Sequence, residues 1–413
     1  MNLFFKDIKV IERLKEGPLG PYILSYAEQL STEGYARQSA CVQLRFISGF
    51  SRWLGQKGVP ANEVVARHTS NYLRYLKRYG RYRPREGNTA TLMRLMKLLC
   101  EEGVLALEPP EPEMKPRENL VREFGLYLEK ERALALPTRI NYLPFVRRFL
   151  IAQFGEGPVE MSSVCARDIT DFVRCQASHI NGKRIQLMTT ALRSFLRFVR
   201  YRGDITLDLA ACVPAVASWS LSTLPRAIAS AHVKQVLEHC NRKTAVGRRD
   251  YAILLLLARL GLRGGEVIGL DLEDIDWERG FFSVRGKGGR SSELPLPEDV
   301  GKAITAYLKD GRSRVSSSRS LFLRARAPAV GLKNTGVCCV VQRALTRAGI
   351  DSPRRGAHQF RHALATEMLK GGASLREIGE LLRHQKPETT MIYAKVDLVS
   401  LRTLASPWPR GVR

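Results

Sequence analysis

A chain of 413 residues exceeds what one compact domain needs, and its 44% hydrophobic and 26% charged residues support packed cores and exclude a wholly disordered protein. Sixty-six Lys and Arg against 40 Asp and Glu leave a formal net charge of +26, which asks for a polyanionic partner, nucleic acid being the commonest. The longest apolar run, Tyr251 to Ala258, is far short of the roughly twenty residues of a membrane span, so no membrane partner is expected.

The opening stretch Met1-Asn2-Leu3-Phe4-Phe5-Lys6-Asp7 lacks the basic-then-apolar layout of a secretory signal. Cys41, Cys100, Cys165, Cys175, Cys212, Cys240, Cys338 and Cys339 form no CxxC pair, so neither a zinc site nor a disulfide framework is indicated. Idle or buried thiols in a reducing cytoplasm are expected instead.

Two breaks divide the chain. The Pro/Glu-rich stretch Glu108 to Pro116 cannot continue a helix, and Cys212 to Pro225 shows no sustained helical period. The predicted domains are 1–110, 117–211 and 226–413. In the first, a helix carrying Phe46, Phe50 and Trp53 precedes residues 66–97, which hold nine Lys and Arg and a single acid, Glu86. Arg74, Lys77, Arg78, Arg81 and Arg83 interleave with Tyr72, Tyr75, Tyr79 and Tyr82. Charge this one-sided favours phosphate contact over a merely solvated face, while the tyrosines either share that contact or pack the segment's core.

The second segment resembles the first at an offset of 100 residues. Ala66-Arg67 matches Ala166-Arg167, Tyr72-Leu73-Arg74 matches Phe172-Val173-Arg174, Thr89 and Leu92 match Thr189 and Leu192, and Gly103 matches Gly203. Helical periodicity alone can generate such matches, but an ordered series at constant offset favours two copies of one small helical domain. Its own basic helix sets Arg193, Arg197 and Arg200 beside an apolar face of Leu192, Phe195, Leu196 and Val199, a second candidate DNA contact.

The third segment begins with a buried helix from near Asp250 through Leu257, ending near Gly261. Phe281 to Val284 and Glu293 to Leu296 flank a Gly-rich tip, Gly286 to Arg290, and read as a hairpin. After a Ser/Arg-rich loop, Gly311 to Ser320, helices resume, with Leu375, Ile378, Leu381 and Leu382 on one face. The predicted fold is mainly α with a small antiparallel β-sheet.

This last segment also holds the candidate chemistry: Arg263 after the buried helix, Lys287 at the hairpin tip, His358 and Arg361 three apart on one helix face, then His384 and Tyr393. Each residue alone has an ordinary structural explanation. Together they supply what metal-free transfer of a phosphodiester to a side-chain hydroxyl requires. Arginine forks bind non-bridging phosphate oxygens, histidines manage protons near neutrality, a lysine can protonate the departing 5′ oxygen, and a tyrosine is the nucleophile. No Asp/Glu/His cluster has metal-ligand spacing, and neither metal nor cofactor is expected.

The segment from 226 to about 400 resembles the catalytic domain of the tyrosine recombinases, the phage-integrase family. The resemblance rests on Gly261-Leu-Arg-Gly-Gly-Glu-Val-Ile-Gly-Leu270, Gly286-Lys-Gly, His358-x-x-Arg361-His-Ala, and Leu381-Leu-Arg-His384 followed by Tyr393. It implies that Arg263, Lys287, His358, Arg361 and His384 surround the scissile phosphate and that Tyr393 forms a 3′-phosphotyrosyl link. Glu266 would buttress Arg263. Arg383 stands where the family usually has Gly, and Arg285 and Arg290 flank Lys287 as rival hairpin cations. Residues 117–211 are similar to the family's core-binding domain, which closes a C-shaped clamp on DNA with the catalytic domain; residues 1–110 would be an added arm-type or accessory module.

The resemblance further implies a cytoplasmic, bacterial, nucleoid-associated site-specific recombinase of mobile-element integrase or transposase type, working through a Holliday junction. Its partners would be double-stranded DNA sites and other recombinase copies, in a homotetrameric synapse or with related recombinases. An Xer-like dimer resolvase and a type IB topoisomerase-like enzyme are the alternatives.

Overall fold

The computed structural model describes residues 4–5, 7–79, 87–105, 115–216, 227–286, 290–352 and 356–396. It divides into two compact units, one made of Met1–Leu107 with Thr223–Arg413 and the other of Glu108–Ser222. Among the described residues the architecture is mainly helical with one small antiparallel sheet. Among the described residues no helix is long and apolar enough to cross a membrane.

The N-terminal part of the first unit comprises α1 (Ile8–Leu14), α2 (Ile23–Thr32), α3 (Arg37–Gln56), α4 (Ala66–Arg78) and α5 (Gly87–Glu101). α3 is its hub, burying Leu44, Ile47, Phe50 and Leu54 completely. Tyr72 of α4 is core, its ring centroid 5.0 Å from Phe50 and 5.6 Å from Trp53. Tyr75 and Tyr79 continue the aromatic row outward and are exposed, whereas Tyr82 and Arg83 lie outside the described residues. Arg94, part of the basic stretch, is committed internally: Nη1 donates to Gln43 Oε1 at 3.0 Å and Nε pairs with Glu33 at 3.1 Å.

The second unit contains α6 (Pro116–Lys130), α7 (Leu136–Phe154), α8 (Ala166–Ala177) and α9 (Gly182–Arg202) around Phe124, Phe149 and Phe195. Pro116 starts α6 at its first turn, where a missing N–H costs nothing. Most of the Pro/Glu stretch, 108–114, lies outside the described residues. Local structure repeats between the two helical parts. The 3₁₀ turns Ala61–Glu63 and Met161–Ser163 lead into α4 and α8, each capped from its third residue: His68 Nδ1 accepts from Val65 N at 3.1 Å and Asp168 Oδ2 from Cys165 N at 2.9 Å. Gly103 and Gly203 both close their segments at positive φ, 73° and 86°.

The remainder of the first unit runs α10 (Ser230–Glu238), α11 (Ala245–Leu260), α12 (Gly264–Ile268), β1 (Ile275–Asp276), β2 (Phe281–Arg285), β3 (Ser291–Pro295), α13 (Glu298–Asp310), α14 (Asn334–Arg347), α15 (His358–Lys370), α16 (Leu375–Leu381) and a 3₁₀ turn, Met391–Val396. α11 is the central element and starts five residues before the predicted Asp250, because Thr244 Oγ1 caps it by accepting from Gly247 N at 3.0 Å. Its run Ala252–Leu257 is buried throughout. Near its start Arg249 and Asp250 form a buried ion pair at 2.6 Å, and Arg249 Nη1 donates to the Leu323 carbonyl at 2.9 Å. The sheet order is β1-β2-β3, with Phe281 opposite Pro295 and Arg285 opposite Ser291. Pro295 is tolerated because β3 is an edge strand.

Candidate active site

The site grows from the end of α11. Gly261 stops that helix at φ +56°, and a Cβ there would lie 2.7 Å from Leu382 Cδ2, so both the backbone and the space demand glycine. The turn buries Leu262 and delivers Arg263 to the N-cap of α12, where Glu266, three residues on, reaches back. Glu266 Oε2 accepts from Arg263 N at 2.9 Å and Oε1 from Arg263 Nη1 at 2.7 Å. A second guanidinium shares the carboxylate: Arg383 Nη2 donates to Oε2 at 3.0 Å. Burial alone would raise the Glu266 pKa, but the Arg263 amide and the charges of Arg383 and Arg263 outweigh it and hold the carboxyl below its ordinary value. It is therefore an anion lodged between two arginines.

Arg383 adopts φ +56°, a left-handed conformation rare outside glycine. Its side chain is folded into the site rather than into solvent, and its Nε is buried without a hydrogen-bond partner among the described residues. Arg361, one turn into α15, is 3% exposed and joins two distant chain segments: Nη1 donates to the Gly261 carbonyl at 2.6 Å and Nη2 to the Leu382 carbonyl. Burial first, then repulsion from Arg263 and Arg383, pulls its pKa down to about 10, so it stays charged at neutral pH.

His358, the first residue of α15, lines a cleft of about 660 Å³ with Arg263, Gly265, Arg285 and Asn334. His384 lines a second cleft with Arg383, Thr390 and Met391, and its Nδ1 lies 2.6 Å from Thr390 Oγ1. Both imidazoles are pushed down from their ordinary pKa, mainly by burial and then by Arg361 and Arg263, His384 to about 4. Both are neutral at physiological pH.

Tyr393 sits in the final 3₁₀ turn and is 1% exposed. Its amide donates to Thr390 O at 3.0 Å, and its hydroxyl is 2.9 Å from His362 Nδ1. Burial raises its pKa against the lowering pull of Arg361 and Arg263, so the phenol is protonated. The structure thus gathers Arg263, His358, Arg361, His384 and Tyr393 around one cationic region. Lys287 lies outside the described residues. Of its flanking cations, Arg285 is committed to Asp274 at 3.0 Å and Asp271 at 3.3 Å, whereas Arg290 is exposed.

The candidate DNA contacts divide. Arg74, Lys77 and Arg78 are exposed on α4, and Arg81 lies outside the described residues. On α9, Arg197 is exposed and Arg200 pairs with Asp208 at 3.5 Å. Arg193 instead spends its Nη2 on the Val213 and Pro214 carbonyls, both at 2.9 Å, holding the end of the unit onto α9. Sequence reasoning passed over His362, although its place directly after Arg361 and one turn from His358 put it on the same helix.

Residues 226–398 match the model of the phage integrase family. A Sinorhizobium fredii protein named integrase/recombinase y4rA is 48% identical over 412 residues, spanning 99% of each chain. The chain belongs to the phage integrase family. It is a tyrosine recombinase, of the class of enzymes that cleave and rejoin DNA. Tyrosine recombinase XerA of Pyrococcus furiosus is 32% identical over 289 residues, covering 69% of this recombinase and 92% of its own length. Two solved structures share the fold: XerH bound to its palindromic difH substrate (TM-score 0.55, 17% identical, 74% of this chain and 100% of that one) and a lambda integrase dimer bound to a COC′ core site (TM-score 0.51, 15% identical, 71% and 98%).

Proposed function

We propose that this recombinase is the integrase or transposase of a mobile element, exchanging strands at specific duplex sites through a 3′-phosphotyrosyl bond to Tyr393 and a Holliday junction. The observation that carries this reading is the gathering of two arginines and two neutral histidines about a buried, protonated phenol. Arg263 and Arg361 would hold the non-bridging oxygens. Each terminal nitrogen of Arg361 that bonds a carbonyl keeps a second proton for phosphate, and the transition-state charge falls on groups already fixed in place. Lys287 is assigned as the acid for the 5′ oxygen. The phosphotyrosine conserves the energy of the broken bond, so rejoining needs no ATP.

We read the molecule as three functional domains, with 1–110 an accessory DNA-binding copy of the core-binding domain 117–211. The repeated turns and caps support the duplication. The mobile-element role is supported by the relative named integrase/recombinase that matches end to end, whereas the XerA relative covers 69% of the chain. The synapse would be a tetramer of this chain or of this chain with related recombinases.

The test uses a nicked suicide duplex bearing the sequence that the full chain selects from a random duplex pool. Wild type should give an SDS-stable covalent adduct, and Tyr393→Phe should bind the duplex equally but give none. An adduct from the variant would overturn the nucleophile assignment.

A further inference from the structure

The partner of the Tyr393 phenol is not His358 of the HxxR motif but the next histidine along the helix. His362 Nδ1 lies 2.9 Å from Tyr393 Oη, with the rings edge to face at 5.6 Å between centroids. The imidazole is well fixed. Its neighbour Arg361 is tied at both terminal nitrogens to the Gly261 and Leu382 carbonyls, which sets the rotation of α15, and the Tyr393 turn is pinned by the hydrogen bond its amide donates to the Thr390 carbonyl.

We propose that His362 is a catalytic residue, the seat on which the Tyr393 phenol rests and the base that takes its proton. This rests on the reading of Tyr393 as nucleophile. In the step, the Tyr393 Oη–P bond forms and the P–O5′ bond breaks. The phenol proton passes to His362 Nδ1, and the 5′ oxygen takes a proton from the acid assigned to Lys287. Rejoining runs the same transfers backwards, so both proton holders return to their starting states.

Electrostatics ties the transfer to DNA binding. Among the described residues three guanidiniums, of Arg263, Arg361 and Arg383, face one carboxylate, Glu266. Burial and then these charges push the neighbouring His358 and His384 imidazoles down, and burial keeps the Tyr393 phenol protonated. A bound phosphodiester adds a negative charge at the arginines, and a cation on His362 then forms at lower cost. The nucleophile would thus be roused by the phosphate it is to attack.

Three variants test this on the selected suicide duplex, with single-turnover adduct formation as the readout and melting temperature and duplex affinity as controls. His362→Ala should slow adduct formation by at least about 10²-fold with affinity unchanged, and added imidazole should restore part of the rate, which a purely structural role would not allow. His362→Gln keeps a hydrogen-bonding group but no titratable nitrogen and should remain as slow. A near wild-type rate in His362→Gln would overturn the proposal, and this variant decides the matter if the alanine variant does not fold. Imidazole failing to stimulate a folded His362→Ala would also overturn it. The outcomes separate cleanly from the parent reading: an adduct in Tyr393→Phe removes the nucleophile, whereas a fast His362→Gln alongside an inert Tyr393→Phe removes His362 alone.

Discussion

Replacing Glu266 with Gln keeps the shape of the site but removes its buried anion. The side chain is 3% exposed and accepts three hydrogen bonds, from Arg263 N, Arg263 Nη1 and Arg383 Nη2. Removing one partner of a buried ion pair costs about 3–5 kcal/mol, because the remaining charge is left uncompensated. Here two guanidiniums lose their counter-ion, with Arg361 adding repulsion. At about 2–4 °C per kcal/mol, the melting temperature should fall by roughly 6–20 °C near neutral pH, toward the lower end for a unit this large. The pH dependence gives a second handle. The folded pKa of Glu266 lies below its ordinary 4.5, so its stabilisation is present above that value and is lost as pH falls through the folded pKa. Melting curves of both proteins from neutral pH into acid should therefore converge. Duplex DNA should raise the variant's melting temperature more than the wild type's, since phosphate supplies the missing anion. A difference under about 2 °C at neutral pH, or one unchanged in acid, would refute the reasoning.

Arg361→Lys should slow adduct formation by at least about 10²-fold, the scale of one lost oxyanion donor, because a single ammonium cannot hold two carbonyls and a phosphate together. It should also lower the melting temperature, which calorimetry would show. On α4, neutralising Arg74, Lys77 and Arg78 to Gln should flatten the salt dependence of duplex binding by about 0.9 in log–log slope for every phosphate these side chains neutralise, while single-turnover cleavage of saturated duplex stays the same. Equal slopes would mean that this helix does not touch DNA.

Much of the fold and site was legible in sequence because the signals are local. The leucine run of α11 and the Gly at its end mark a buried helix and its stop, and the hairpin strands were placed to within about two residues of 281–285 and 291–295. The start of α11 was hidden because Arg248, Arg249 and Asp250 look like surface residues, whereas Arg249 and Asp250 pair with each other inside. The short β1 carries no pattern of its own and exists by pairing Ile275 with Phe282. Charge patterning could not distinguish an arginine that meets solvent, such as Arg197, from Arg193, whose carbonyl acceptors lie some twenty residues on. The same blindness hid the Arg383–Glu266 pair, which spans 117 residues.

Arg361 is fastened to the carbonyl ends of two helices, Gly261 after α11 and Leu382 after α16, where the backbone's partial negative charge favours a cation. Mutational history is constrained as a result. Drift at position 361 would damage the scaffold along with the chemistry, so a stable, silent descendant that still binds DNA is not reached by that route. Position 393 offers a gentler exit, since Phe fills the same buried space and forfeits only a hydroxyl. Inactive relatives that persist as DNA-binding proteins should therefore keep this arginine and differ at the tyrosine, and a population of decayed copies would record the order in which the parts were lost.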